Sequence, residues 1–127
     1  MSMISKKFPA AALIGGEWVN SAKTFAVHDP ASGAEIARVP DLTAKDTARA
    51  IDEAAKALPA WSAKTAKERA IILRRWFDLI TAETETLAQL MTTEQGKPLP
   101  EARAEVAYGA SFIEWFAEEG KRVYGDV

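Results

Sequence analysis

Two periodicities divide this chain. Residues 1–41 carry short apolar runs interrupted by glycine and proline. Residues 42–127 repeat apolar positions every three to four residues. The first pattern predicts hairpins and the second predicts helices packed on a core. In the front part, Leu13-Ile14 and Trp18-Val19 flank Gly15-Gly16-Glu17. Adjacent glycines tolerate positive φ, so a tight hairpin turn fits there. A second hairpin follows, with strands over 24–28 and 35–39 around Asp29-Pro30-Ala31-Ser32-Gly33. Asp-Pro presets the turn, and Gly33 can take the left-handed position that closes it. Ile36 breaks the alternation against Val27, which leaves the register open. Pro40 to Thr43 is the one stretch resembling a linker.

Four helices are expected behind the hairpins. Thr43 and Asp46 have N-cap and N3 spacing, a capping box with Asp in place of Glu. The helix they open places Ala48, Ile51, Ala55 and Leu58 on one face and is expected to end before Pro59. Thr65 and Glu68 form a second box. Behind it, Arg69, Ile72, Leu73, Trp76, Phe77 and Ile80 make a wide stripe. Threonine and glutamate over 81–86 weaken the pattern and predict a break. A third helix through Leu87, Leu90 and Met91 should stop at Gly96, with Pro98 beyond. The last helix should start near Pro100, a residue suited to the first turn, and run to about Glu119 or Arg122. Its face through Ala102, Val106, Ala110, Ile113 and Ala117 is small and apolar. The next face carries Tyr108, Phe112 and Trp115, so this helix asks for more than one neighbour.

Composition narrows the function classes. The 127 residues are 48% hydrophobic, enough for a core and ordinary for one domain. Sixteen basic and eighteen acidic residues give a net charge of -2. Lys64, Lys67, Arg69, Arg74 and Arg75 are diluted by acids, so no nucleic-acid footprint is expected. No apolar window is long enough to span a bilayer, and Met1 to Phe8 lacks the apolar core of a secretory signal. There is no cysteine and one histidine. Disulfides and thiolate metal sites are thereby excluded, and no metal site is expected. That usage fits a cytoplasmic protein.

The catalytic constellations fail one at a time. A cysteine nucleophile is absent. His28 and Asp29 lack the strand-turn-helix context of a serine nucleophile, and His28 reads as a polar turn residue. Glu101-Glu105 and Glu118-Glu119 read as solvated helix faces. Gly15-Gly16 is not a phosphate cradle, because no segment supplies strand, Gly-x-Gly-x-x-Gly and helix in order. The run Glu94-Gln95-Gly96-Lys97-Pro98 reads as a helix end with its glycine cap and a cation near the negative end of the dipole.

The order of several motifs adds what each alone does not. Leu-Ile-Gly-Gly-Glu-Trp-Val (13–19), Asp-Pro-Ala-Ser-Gly-Ala-Glu-Ile (29–36) and Ala-Trp-Ser (60–62) come first. Glu-Arg-Ala-Ile-Ile-Leu-Arg-Arg-Trp (68–76) and Glu-Gln-Gly-Lys-Pro-Leu (94–99) follow. In this order the chain resembles the start of the aldehyde dehydrogenase superfamily. The closing stretch, Glu101-Ala102-Arg103 and then 108–119, looks most like the succinate-semialdehyde dehydrogenase branch, with glutarate-semialdehyde enzymes similar there. Ala104 stands where that branch often has glycine.

The resemblance implies an α+β fragment: two N-terminal β-hairpins and about four helices, the N-terminal part of an α/β cofactor-binding domain. It is expected to form one partial domain over 1–127, with hairpins in 1–41 and helices in 42–127. Family members use a cysteine thiolate to attack the aldehyde, pass hydride to NAD or NADP, and release the acid with water activated by a glutamate. Those parts lie later in the family chain. The expectation is therefore an N-terminal fragment, inactive alone, with no catalytic or cofactor-binding residue and no cofactor of its own; its parent would use NAD or NADP. Its partners would be a small semialdehyde, for the parent, and the remainder of the enzyme or a homo-oligomer, with no nucleic acid and no membrane. By the same resemblance, Ala104, Tyr108 and Phe112 line the channel by which the aldehyde enters; read from the residues alone, they are equally core residues. The alternative to the fragment is a free-standing helical interaction module that acts by binding.

Overall fold

The computed structural model describes residues 8–125. The expectation for Met1 to Phe8 falls almost wholly outside them. Two antiparallel hairpins come first. β1 (Ala12–Ile14) pairs with β2 (Glu17–Val19), and β3 (Thr24–His28) pairs with β4 (Glu35–Pro40). Helices α1 (Ala44–Ser62), α2 (Ala66–Ala82), α3 (Thr84–Gln95) and α4 (Leu99–Glu119) follow. Two hairpins and four helices are the expected inventory, and the break over 81–86 falls at Glu83, between α2 and α3.

The turn chemistry explains both hairpins. Gly15 and Gly16 have φ of 61° and 85°, and Ile14 pairs directly with Glu17. A two-residue turn with both centres left-handed matches the twist of the strands. Glu17 therefore belongs to the strand and not to the turn. In the second hairpin Asp29 accepts from the Ala31 N–H (2.8 Å) and the Ser32 hydroxyl (2.8 Å). Gly33, at φ 73°, donates its N–H to the Asp29 carbonyl. The open register has a physical cause: Val27 pairs with Ala37 but His28 pairs with Glu35. Ile36 is the extra residue of a bulge, which shifts the alternation by one. Pro40 is not linker, because it ends β4 opposite Thr24.

The chain divides into two compact units, Met1–Pro59 with Thr93–Gly96, and Ala60–Thr92 with Lys97–Val127. In the first unit Ile14 is the buried hydrophobic. The β1–β2 turn lies against α1, where a Cβ at Gly15 would meet the Glu53 side chain at 3.1 Å. Thr43 and Asp46 form the expected cap on α1: the Asp46 carboxylate accepts from the Thr43 N–H at 2.8 Å and its hydroxyl at 2.7 Å. The expected end before Pro59 is wrong, since α1 continues to Ser62 with Pro59 inside it. The proline removes one donor to the Ala55 carbonyl. Ala55 is exposed, so water can satisfy that oxygen, and the helix tolerates the ring. No residue of α1 is buried, and Ile51 and Leu58 on its apolar face are exposed.

In the second unit α2 packs along α4. Thr65 and Glu68 cap α2 reciprocally, with the Thr65 N–H donating to Glu68 at 2.7 Å. Ala88 on α3 and Ala102 and Val106 on α4 form the central cluster, with Ile80, Leu87, Met91 and Leu99 packed around it. Ala102, Val106, Ala110 and Ala117 are buried as the spacing predicts, and Ile113 is half-buried. Of the stripe on α2, Leu73, Phe77 and Ile80 are half-buried, whereas Ile72 and Trp76 are exposed. Among the described residues only seven hydrophobic side chains are fully buried, and five are alanines. Several large apolar side chains, Trp76, Leu79, Tyr108, Phe112, Trp115 and Phe116 among them, are exposed in this unit.

Candidate functional site

The face of α4 opposite its alanine stripe is built by period alone. Ala104, Tyr108 and Phe112 recur at i, i+4 and i+8 and so stand on one line along the helix. All three are exposed, Tyr108 by 66% and Phe112 by 45%. The two rings meet edge to face, with centroids 4.8 Å apart and planes at 82°. This arrangement places the positive edge of one ring against the negative face of the other. The Ser111 hydroxyl donates to the Tyr108 carbonyl at 2.7 Å, so it is turned back onto its own helix. The structure thus brings the three channel candidates together on one surface and excludes them from the core of this chain.

One turn further on, Phe112, Trp115 and Phe116 wall a groove of about 610 Å³ whose rim carries Glu114, Glu118, Glu119 and Arg122. Each rim carboxylate already has a cation. Glu114 receives Arg74 of α2 at 2.8 Å, Glu118 receives Lys121 at 3.1 Å, and Glu119 receives Arg122 at 2.8 Å. Arg74 also lies over the Phe77 ring at 4.9 Å, which accounts for the partial cover of that residue. The sequence marked Trp115 as apolar. The groove could not be read from it, because it depends on how neighbouring side chains part along the helix.

Nearer the start of α4, the Arg103 guanidinium makes two hydrogen bonds to Glu85 of α3, at 2.7 and 2.9 Å. Donation from Arg103 holds the Glu85 carboxyl below its ordinary value. Lys97, just past the end of α3 as expected, ion-pairs with Glu105. That pair, with the Lys121 and Arg122 pairs, places Glu105, Glu118 and Glu119 in exposed ion pairs. None has the buried, unpaired environment of a general acid.

The described residues do not fit a dinucleotide. The one strand-to-helix junction runs from β4 into α1, and the Asp46 carboxylate occupies that helix end. Glu68 occupies the N-terminus of α2 in the same way. A pyrophosphate placed there would meet a carboxylate where it needs free N–H groups. The left-handed glycines lie in hairpin turns, after α3 at Gly96, and at Gly125, none at a strand-to-helix turn. Among the described residues no group of three His, Cys, Asp or Glu is placed to hold a metal, and no helix is long and apolar enough to cross a membrane.

Comparison with known proteins supplies the context that the site lacks. Residues 18–127 match the aldehyde dehydrogenase family. The chain is 56% identical over 124 residues to the NADP(+) succinate-semialdehyde dehydrogenase of Escherichia coli, covering 96% of this chain and 26% of that protein. It is 57% identical over 121 residues to a glutarate-semialdehyde dehydrogenase of Pseudomonas putida, covering 94% and 25%. Among solved structures, an NADP-dependent enzyme of Escherichia coli superposes with a TM-score of 0.92 at 54% identity, over 99% of this chain and 27% of that one. The succinate-semialdehyde dehydrogenase of Burkholderia pseudomallei gives 0.88 at 58% identity, over 94% and 26%. The chain thus spans about a quarter of the length of the relatives it matches. With the family matched over most of its residues, and the hairpin-plus-helix order reproduced in those structures, this chain belongs to the aldehyde dehydrogenase family.

Proposed function

We propose that this chain supplies the N-terminal quarter of a cytoplasmic NAD(P)-dependent semialdehyde dehydrogenase, which oxidises a succinate-type semialdehyde to the dicarboxylic acid. In this reading residues 1–127 form part of one cofactor-binding domain. The thiolate, the water-activating carboxylate and the dinucleotide site belong to the rest of the enzyme, so the chain alone is inactive. The observation that carries the reading is the 56% identity to the Escherichia coli enzyme across 96% of this chain.

Within that enzyme Ala104, Tyr108 and Phe112 form one wall of the passage by which the aldehyde enters. Their place on a single line of α4, with the Tyr108 and Phe112 rings edge to face, supports one continuous wall. Such a wall binds substrate and transition state equally, so it shapes KM and chain-length preference and leaves the chemical step alone. The test joins this chain to the remaining three quarters of the Escherichia coli relative in one polypeptide. Succinate semialdehyde should then yield NADH or NADPH, whereas the 127 residues alone should yield none. Tyr108→Ala in the joined enzyme should raise KM or shift preference between semialdehydes of two lengths. A loss of roughly 3–5 kcal/mol of stability with unchanged preference would place Tyr108 in a core and remove it from the passage.

A further inference from the structure

Two ion pairs tie α4 to the other helices of its unit, and each is made by a planar guanidinium. Near the start of α4, Arg103 forks onto Glu85 of α3 through two hydrogen bonds, at 2.7 and 2.9 Å. Gln89, one turn further along α3, donates to the same carboxylate at 3.1 Å. Towards the other end, Glu114 accepts from Arg74 of α2 at 2.8 Å. Arg74 is held on its own helix by Asp78 at 3.4 Å and by the face of the Phe77 ring. All four paired side chains are roughly half exposed. Ion pairs so open to water add little to stability. What a guanidinium adds is direction, because its donors are fixed in one plane and are met at one orientation of the partner.

The apolar face of α4 leaves that direction loosely set. Its fully buried residues are Ala102, Val106, Ala110 and Ala117. Alanines let helices approach closely, but their ridges are shallow, so such a face fixes separation more firmly than rotation. Arg103 and Glu114 stand about three turns apart and therefore on one side of α4. Tyr108 and Phe112 lie roughly 140° and 180° round the helix from Arg103. The two pairs thus grip one side of α4 while the aromatic wall occupies the other. Side chains reach about 5–6 Å from a helix axis, so a roll of about 10° carries the rings by about 1 Å. Misplacement on that scale alters how an enzyme handles its substrate.

Resting on the passage proposed above, we infer that the Arg103–Glu85 and Arg74–Glu114 pairs set the roll of α4 about its axis. Arg103 and Arg74 are then positioning residues for the Tyr108–Phe112 wall. Neither touches the aldehyde. Through the wall they decide which length of semialdehyde the passage favours.

The kinetic test uses the joined polypeptide described above. Arg103→Lys and Arg74→Lys each keep the charge and lose the planar set of donors. Each should change the ratio of KM values for succinate semialdehyde and glutarate semialdehyde by about threefold or more, with kcat held within about twofold. The melting temperature should stay that of the unsubstituted enzyme. In a background carrying both Tyr108→Ala and Phe112→Ala, the same substitutions should leave the ratio where the background puts it, because they act through the rings. Arg49→Lys, which alters an exposed ion pair on α1, should change neither ratio nor melting temperature.

The roll itself is read on the 127 residues, independently of activity. Tyr108 and Tyr124 are the chain's two tyrosines, so 3-fluorotyrosine gives two fluorine resonances. Arg103→Lys and Arg74→Lys should move the Tyr108 resonance and leave that of Tyr124, with circular dichroism unchanged. An unmoved Tyr108 resonance would overturn the inference. So would an active joined enzyme whose KM ratio ignores both substitutions, whether or not its melting temperature falls. A ratio that shifts equally without the two rings would overturn it as well. A Tyr108 resonance that moves, beside a joined polypeptide that oxidises no semialdehyde, would instead retire the proposed activity and leave the roll of α4 assigned to the two pairs.

Discussion

Ala102→Leu tests whether α4 is held by close helix contact. Ala102 is 0% exposed, and so is Ala88 on α3, which shares its cluster. Two alanines at a contact let helices approach more closely than leucines would. Leucine adds three carbon atoms at a position with no surface to escape to. Were they accommodated, their burial would contribute about 0.8 kcal/mol per carbon. They are not, because interiors are packed at crystal density and the neighbours Leu87, Met91 and Leu99 already fill the surroundings. Overpacking of this kind costs typically 1–3 kcal/mol. Met91 is flexible and half-buried, so its displacement sets the lower end of that range. The control is Ala104→Leu, two residues along the same helix and exposed, which should change stability by less than about 0.5 kcal/mol. Urea unfolding followed by circular dichroism measures both. With a slope of about 1–3 kcal/mol per molar urea, Ala102→Leu should lower the midpoint by on the order of 1 M. Equal midpoints for the two variants would refute the placement of Ala102 in a closed contact.

Two further outcomes follow from the local geometry. The Thr65 N–H and hydroxyl donate to Glu68 and hold its carboxyl below its ordinary value of 4.5, and the Thr43 hydroxyl and N–H do the same for Asp46 against 3.8. Depressed carboxyls stabilise the folded chain fully above those ordinary values, and the contribution is lost as pH falls below them through the folded values. Helicity followed against pH should therefore decline on the acid side, with a smaller decline in Glu68→Gln; identical curves would remove the cap from the account. Gly96→Ala should destabilise by about 1–2 kcal/mol, because φ is 75° and the new Cβ would meet Pro30 at 3.2 Å. A thermal melt indistinguishable from that of the unsubstituted chain would show that α3 does not end in the left-handed turn.

What the sequence disclosed and what it withheld divide along a physical line. Caps and turns were legible because they are local. Thr43 with Asp46, Thr65 with Glu68, and the left-handed glycines at 15, 16, 33 and 96 each act over a few residues and need no partner from afar. The small face of α4 was legible too, since spacing alone decides which residues share a side. Exceptions arose where a local rule met its surroundings. Pro59 stayed inside α1 because an exposed carbonyl tolerates the loss of a donor. Ile36 was displaced by a bulge that only strand pairing defines. The candidate site lies on the same boundary. Periodicity puts Ala104, Tyr108 and Phe112 on one line, but it cannot say whether that line faces a core, a passage or water. That answer depends on the atoms across from it, and here no described residue of α2 or α3 covers Tyr108, which stays 66% exposed. A helix with four aromatic side chains, whose fully buried residues are three alanines and one valine, is shaped for neighbours beyond those it has among the described residues. Among the described residues the core is accordingly small beside the exposed apolar side chains around it.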